Sequence, residues 1–296
     1  MKIEEGVSLS RLTTIGTGGL ASALARPETI TELEECLAWA AERALPVYAV
    51  GLGSNLLVAD AGVDGLVVRL AGELAAVDVR DELLTAGGGA ANAVCLHRAR
   101  ASGLGGFEFA CAIPGTAGGG VWMNAGAYGR DWSDVLARAL VVTAGASGWL
   151  TPSQLGLSYR HSDLRHGQVV ARVEYRLERR PAADVKALVA DLNARRKASQ
   201  PTNKRTFGSV WRNPPGEVGA GRMLEECGLK GFRLGGAVVS PMHANFIENA
   251  GGATTADCLA LMAESRRRVR EHFGVELEHE VVFLGEIDVA ADASDR

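Results

Sequence analysis

The stretch IPGTAGGGVWMNAGAYG, residues 113–129, sets six glycines and three alanines among Ile113, Val121, Trp122, Met123 and Tyr128. A flexible linker surrounds its glycines with serine, glutamine and charge, whereas these apolar neighbours call for burial. Glycine serves where a main chain adopts dihedrals closed to other residues or passes within contact distance of another body. The segment therefore reads as an ordered turn approached closely by something, and a bound cofactor is the expected occupant.

A second glycine-rich turn, VGLGSNLLV at 50–58, follows the short apolar strand expected at 46–50. Its Gly51-x-Gly53 is not a Rossmann fingerprint, which needs a third glycine and a helix directly after; Leu56, Leu57 and Val58 read instead as another strand. Backbone N–H groups of such a bend, with Ser54 and Asn55 as side-chain donors, can surround a diphosphate. An ordinary tight turn explains either segment alone. Two such turns on one chain point toward a dinucleotide such as FAD, and no Walker lysine follows either, so triphosphate hydrolysis has no support.

Around these turns the pattern is mixed α and β. Thr29 with Glu32 three residues on starts an amphipathic helix within 27–43. A strand is expected at 65–70, a helix at 91–101 ending at Gly103, and a hairpin at 141–150. In ARVEYRLE, 171–178, apolar and charged residues alternate, which predicts an antiparallel or edge strand. Pro181 opens a helix to about Ala198 with Val185, Leu188, Val189 and Leu192 on one stripe. A helix from Thr255 to Phe273, stopped by Gly274, precedes an alternating strand over 275–285, on which Glu276, Glu278 and Glu280 share one face opposite Leu277, His279 and Val281.

The chain has 296 residues, 47% hydrophobic and 22% charged, which predicts two or three globular domains. Five scattered cysteines form neither a disulfide framework nor a zinc site, and no histidine spacing indicates a metal. A reducing cytoplasm is expected. Neither a signal peptide nor a membrane span is read, and a net charge of −4 without a basic run argues against nucleic acid. The interval from Arg195 to Arg233 is nonetheless rich in Lys and Arg, suited either to a small polyanion or to a solvated surface.

Two further segments hold groups able to do chemistry. SYRHSDLR, 158–165, centres Tyr159 and Arg160 in a polar knot, and TFGSVWRNPP, 206–215, puts Ser209 after a glycine between aromatic residues. A surface loop and a turn serine are the ordinary readings of each. No G-x-S-x-G elbow surrounds Ser209, so no Ser-His-Asp triad is assignable.

Taken in order, LTTIGTGG (12–19), GLGSNLLV, IPGTAGGGVWMNAGAYG, SYRHSDL, GSVWRNP, the 220–254 segment and the Glu280 strand resemble the UDP-N-acetylenolpyruvoylglucosamine reductases of bacterial peptidoglycan synthesis, the MurB family. The resemblance implies an α+β fold: a two-lobed FAD-binding domain of the vanillyl-alcohol-oxidase-like type over 1–180, with lobes of about 1–70 and 71–180, and a C-terminal α+β substrate-binding domain over 181–290, then a tail at 291–296. It implies that Gly51, Gly53, Ser54, Asn55, Leu56, Ile113, Pro114, Gly115, Thr116, Gly118, Asn124, Ala125 and Gly126 line the flavin, small because a side chain would occupy cofactor space. The implied reaction reduces UDP-N-acetylglucosamine enolpyruvate with NADPH as co-substrate. Hydride comes from reduced FAD and a proton from Ser209, while Arg160 and Glu280 stabilise the developing enolate; Tyr159, Asn213, Lys230 and Asn245 are implied substrate contacts.

Trp211, Arg212 and Arg222 stand where many relatives carry Phe, Lys and Lys. The short interval before Ser209 resembles the family's shorter second type. A flavin oxidase of the same fold, or a non-catalytic binding protein descended from the enzyme, are the rival readings. Neither explains Arg160, Ser209 and Glu280 together. No obligate protein partner is expected.

Overall fold

The structure, a computed structural model, describes residues 2–287. The chain forms two compact units, each assembled from segments distant in sequence. The first takes the residues up to Glu5, Ser22–Leu52 and Asp64–Arg196; the second takes Gly6–Ala21, Gly53–Val63 and the chain from Lys197 onward. The units therefore do not follow the boundary expected at residue 180. Residues 6–21 and 53–63 cluster with the carboxy-terminal part, and most of the helix opened by Pro181 stays with the first unit. The expected tail at 291–296 lies outside the described residues.

A four-stranded sheet, most of whose residues belong to the first unit, runs in the order Ile3–Ser8, Leu20–Ala25, Val63–Val68, Val47–Ala49, the last pair parallel. Helix α1 (Ile30–Glu42) contributes Leu33, Cys36, Leu37 and Ala40 to the core that includes Ala23, Ala25, Leu66 and Val68. Thr29 caps it as expected, accepting from Glu32 N at 3.1 Å, but the Glu32 carboxylate reaches back one residue further, to Glu28 N at 2.7 Å. A second sheet of five antiparallel strands has the order Ala146–Leu150, Leu136–Thr143, Val169–Arg176, Leu83–Gly87, Val77–Arg80. The alternating strand is thus antiparallel but central. One of its charged residues, Glu174, is covered by a fork from Arg138 at 2.7 and 3.1 Å.

Helix α2 (Asn92–Ala101) and the short helix α3 (Ala117–Trp122) cover this sheet, and α4 (Ala182–Ser199) follows it. On α4 Val185 and Leu192 are buried, whereas Leu188, expected on the same stripe, is exposed. Trp132 is fully buried beneath α3, its Nε1 donating to Tyr175 Oη at 2.9 Å. A Cβ on Gly120 would run into that indole ring. Alanine normally favours a helix over glycine by about 1 kcal/mol, but here the ring is held and cannot retreat. Gly120→Ala is expected to lower stability by about 1–3 kcal/mol, read from the urea midpoint; an unchanged or raised midpoint would contradict this packing.

The second unit holds an antiparallel sheet in the order Thr206–Ser209, Phe246–Asn249, Ala237–Val239, Arg233–Leu234. Helices α5 (Ala220–Glu226) and α6 (Thr255–Phe273) contribute Ala220, Leu224, Cys258, Leu261 and Val269 to its core. The expected bounds of α6 hold: Thr254 forms a capping box with Asp257, and Gly274 ends the helix in the left-handed region at φ 67°. The expected strand over 275–285 is only three residues long, Val282–Leu284, and it pairs in parallel with Leu56–Val58. Leu277 and Val281 are buried as their alternation suggests. The backbone of 278–280 instead bonds the irregular chain at 210–212, with Arg212 N donating to Glu278 O and Glu280 N to Val210 O at 2.7 Å.

Candidate functional site

The expected site residues divide between the two units. Gly51, Ile113 to Gly118, Asn124 to Gly126, Tyr159 and Arg160 belong to the first; Gly53 to Leu56, Ser209, Asn213, Lys230, Asn245 and Glu280 belong to the second.

In the first unit Arg160 sits at the tip of a tight turn. Ser158 and His161 exchange both backbone hydrogen bonds, each 3.1 Å, leaving only Tyr159 and Arg160 between them. Arg160 takes φ 54°, a left-handed conformation that costs a residue bearing Cβ about 1 kcal/mol. Its Nη2 donates to Gly126 O at 2.6 Å, and its guanidinium lies 5.0 Å over the exposed Tyr159 ring.

At Gly118, Gly120 and Gly126 within 113–129, the body that comes close is the protein itself. A Cβ on Gly118 would meet Gly88 O and Val170 O at 3.0 and 3.1 Å, and one on Gly126 would meet Arg130 O at 2.5 Å. Gly51 is confined by Thr116 Oγ1, and in the second unit Gly53 by the Leu12 carbonyl. The close approach inferred at these glycines is made by the protein's own atoms. Asn124 likewise spends its side chain within the fold, on Ser158 O and Ser133 N.

Each of the two glycine-bearing turns, taken by itself, has backbone donors that fit an anionic group such as a diphosphate. Among the described residues, the backbone N–H groups of Gly115 and Thr116 in the first unit, and of Gly53 and Asn55 in the second, donate no hydrogen bond within the protein. Free N–H groups in glycine-bearing turns, consecutive at Gly115 and Thr116, are the chemistry that an anionic diphosphate requires. LTTIGTGG supports the second of these turns, since Thr14 N donates to Gly53 O at 3.1 Å while its hydroxyl donates to Thr206 O at 2.6 Å.

In the second unit Ser209, Asn213, Lys230 and Asn245 line one pocket of about 390 Å³, together with Gln200, Arg222, Glu225 and His243. Gly208, at φ 83°, breaks the register of its strand and sets the direction of Ser209. The Ser209 hydroxyl makes no hydrogen bond among the described residues. Asn245 is 5% exposed and holds Trp211 from both sides, accepting from its N at 2.9 Å and donating to its O at 2.8 Å. Asn213 Oδ1 accepts from Ala220 N at the start of α5. Both asparagines therefore shape the pocket wall, and Asn245 keeps one N–H and one lone pair beyond its two bonds to Trp211. Glu280 joins this region through its main chain, bonded to Val210 and, by its carbonyl, to Asn55 Nδ2 at 3.0 Å.

The pocket's cations are paired with acids: Lys230 Nζ lies 2.9 Å from Glu225 and Arg222 Nε 2.6 Å from Glu226. Burial, with Lys230 nearby, pushes the His243 imidazole below its ordinary value, and its Nδ1 accepts from Asn245 N at 3.2 Å. This histidine was not singled out from sequence, where it is one of six without metal-ligand spacing. Because folding resists its protonation, its contribution to stability is present above the unfolded value of about 6.5 and is lost as pH falls below it. His243→Gln should flatten the loss of thermal stability from pH 7 to 5. His166, lowered by burial alone, keeps the remainder; an unaltered profile would count against the assignment.

Comparison with known proteins completes the description. Residues 200–284 match the family described as the UDP-N-acetylenolpyruvoylglucosamine reductase C-terminal domain, and residues 21–148 match an FAD binding domain. A UDP-N-acetylenolpyruvoylglucosamine reductase of Anaeromyxobacter dehalogenans is 45% identical over 278 residues, covering 94% of this chain and 84% of that one. One of Symbiobacterium thermophilum is 44% identical over 286 residues, covering 96% and 92%. The crystal structure of the Thermus caldophilus reductase superposes with a TM-score of 0.84 at 38% identity, covering 96% of this chain and 99% of that one. No helix among the described residues is long and apolar enough to cross a membrane.

Proposed function

This chain belongs to the UDP-N-acetylenolpyruvoylglucosamine reductase (MurB) family, and from that premise we propose which of its residues carry the reaction. It is an FAD-dependent reductase of peptidoglycan precursor synthesis. When bound, FAD supplies the hydride that the co-substrate, taken to be NADPH, has delivered. The chain's own residues must hold the UDP-sugar, orient the enolpyruvyl group, take up its developing negative charge and give one proton to the carbon that bears the carboxylate.

Ser209 is assigned the proton. The observation that carries this is its hydroxyl, unpartnered within the described residues, on the wall of a pocket that also presents Lys230 and Arg222. Arg160 is assigned the substrate carboxylate, for which a planar fork of donors suits both charge and shape, and Glu280 is proposed to assist it. Lys230 and Arg222 are assigned the UDP-sugar diphosphate, which requires their partners Glu225 and Glu226 to give way; Tyr159 is a further contact. Asn213 and Asn245 act on substrate through the pocket wall. The free N–H groups of Gly53, Asn55, Gly115 and Thr116 are assigned to FAD, with Gly51, Ser54, Leu56, Ile113, Pro114, Gly118, Ala125 and Gly126 as its surroundings. The first unit is read as chiefly FAD-binding and the second as chiefly substrate-binding. The reaction is placed in the cytoplasm, with neither nucleic acid nor an obligate protein partner.

An anaerobic absorbance experiment tests the cycle. The purified protein should carry flavin that bleaches with NADPH and recovers its colour on adding UDP-N-acetylglucosamine enolpyruvate. Recovery with oxygen alone would favour an oxidase, and bleaching by NADH but not NADPH would replace the co-substrate.

A further inference from the structure

Asn124 is 1% exposed, and its backbone takes φ 38°, a left-handed value that asparagine tolerates better than most residues. Its amide is oriented by a bond at each end: Nδ2 donates to Ser158 O at 2.8 Å, and Oδ1 accepts from Ser133 N at 3.0 Å. Ser158 is the first residue of the turn whose tip is Arg160. Two other ties run between the same pair of segments: Ser162 Oγ donates to Trp122 O at 2.6 Å, and Arg160 Nη2 donates to Gly126 O. The 158–162 turn is thus strapped to 122–126 at its entry, its tip and its exit. The central strap is Arg160 itself, so when Arg160 turns to a ligand the entry and exit ties must hold the turn.

We propose that Asn124 is a positioning residue for Arg160, fixing the left-handed turn that aims the guanidinium, and is not a contact to the flavin. This rests on the assignment of Arg160 to the substrate carboxylate. The strained φ at Arg160 makes the tie necessary: a non-glycine turn in this region relaxes unless its surroundings over-determine it. A misplacement of the order of 1 Å at a charge-stabilising group is enough to cost about 10²-fold in rate.

The test is Asn124→Asp, which keeps the acceptor for Ser133 N and the tolerance for φ 38° but removes the donor to Ser158 O. Expected are full flavin content, bleaching by NADPH within about twofold of wild type, and reoxidation by the enolpyruvyl substrate slowed by about 10- to 100-fold. In an Arg160→Ala background the same substitution should change reoxidation by less than about twofold, because a residue acting through Arg160 has nothing left to position. Loss of flavin with a normal rate per bound flavin would overturn the proposal in favour of a cofactor contact. Equal slowing in both backgrounds would overturn it in favour of a general structural role. Should Asn124→Asp not fold, Ser162→Ala cuts the exit tie and is read by the same criteria. If Arg160→Ala alone left reoxidation unchanged, the assignment of Arg160 would have failed rather than that of Asn124.

Discussion

Ser209→Ala is expected to leave reduction of the flavin by NADPH within about twofold of wild type, while reoxidation by the enolpyruvyl substrate falls at least about 10²-fold. The asymmetry follows from the proton-donor role proposed for the serine. Its hydroxyl supports no other group, since it makes no hydrogen bond among the described residues, and the strand around it is fixed by Gly208 and by the main-chain bonds of Val210 to Asn245 and Glu280. Alanine therefore removes one proton donor and leaves the wall intact, so the melting temperature should stay close to wild type. A serine hydroxyl is a weak acid and can serve only a strongly basic acceptor held at hydrogen-bond distance. That is the situation once the double bond has received its hydride and charge has moved toward the carboxylate. Stopped-flow absorbance under anaerobic conditions separates the two half-reactions. If both slowed alike, or neither changed, the proton would have to come from another group.

Much of this was legible in the chain. Where a local rule and the tertiary fold agree, the bounds came out nearly to the residue, as at α6, whose cap, stripe and Gly274 all point the same way. The ordered motifs were sufficient to identify the family. Three things were not legible, each because it depends on partners distant in sequence. Alternation at 275–281 reports burial of Leu277 and Val281, but whether such a stretch joins a sheet depends on the backbone it meets, here the bent chain at 210–212. Glycine tells that something comes close, not what; at Gly118, Gly120 and Gly126 it is protein. Asn245, read as a substrate contact, also braces Trp211 from both sides, which the sequence does not show. An asparagine in a binding motif looks alike in sequence whether it faces ligand or backbone.

Arg160 joins stability and function in opposite senses, and its variants should show both. Arg160→Ala and Arg160→Gly each remove the guanidinium, so turnover should fall by about 10²–10³-fold in either, the range for losing a donor that stabilises developing charge. The two differ only in a Cβ at φ 54°, where glycine is unstrained. Arg160→Gly should therefore be more stable than Arg160→Ala by about 1 kcal/mol, read from urea unfolding. The comparison cancels the lost bond to Gly126 O, which both variants share. Equal stabilities would mean that the turn relaxes when the side chain is gone, and that the left-handed conformation is imposed by Arg160 rather than by the turn. Arg160→Lys completes the series: it restores charge without the planar fork, so reoxidation should stay well below wild type. Near-normal reoxidation by that variant would show that a point charge suffices and would exclude a bidentate hold on the carboxylate. A difference of the expected size would locate the strain in the turn itself, which then holds an arginine where glycine would be more stable.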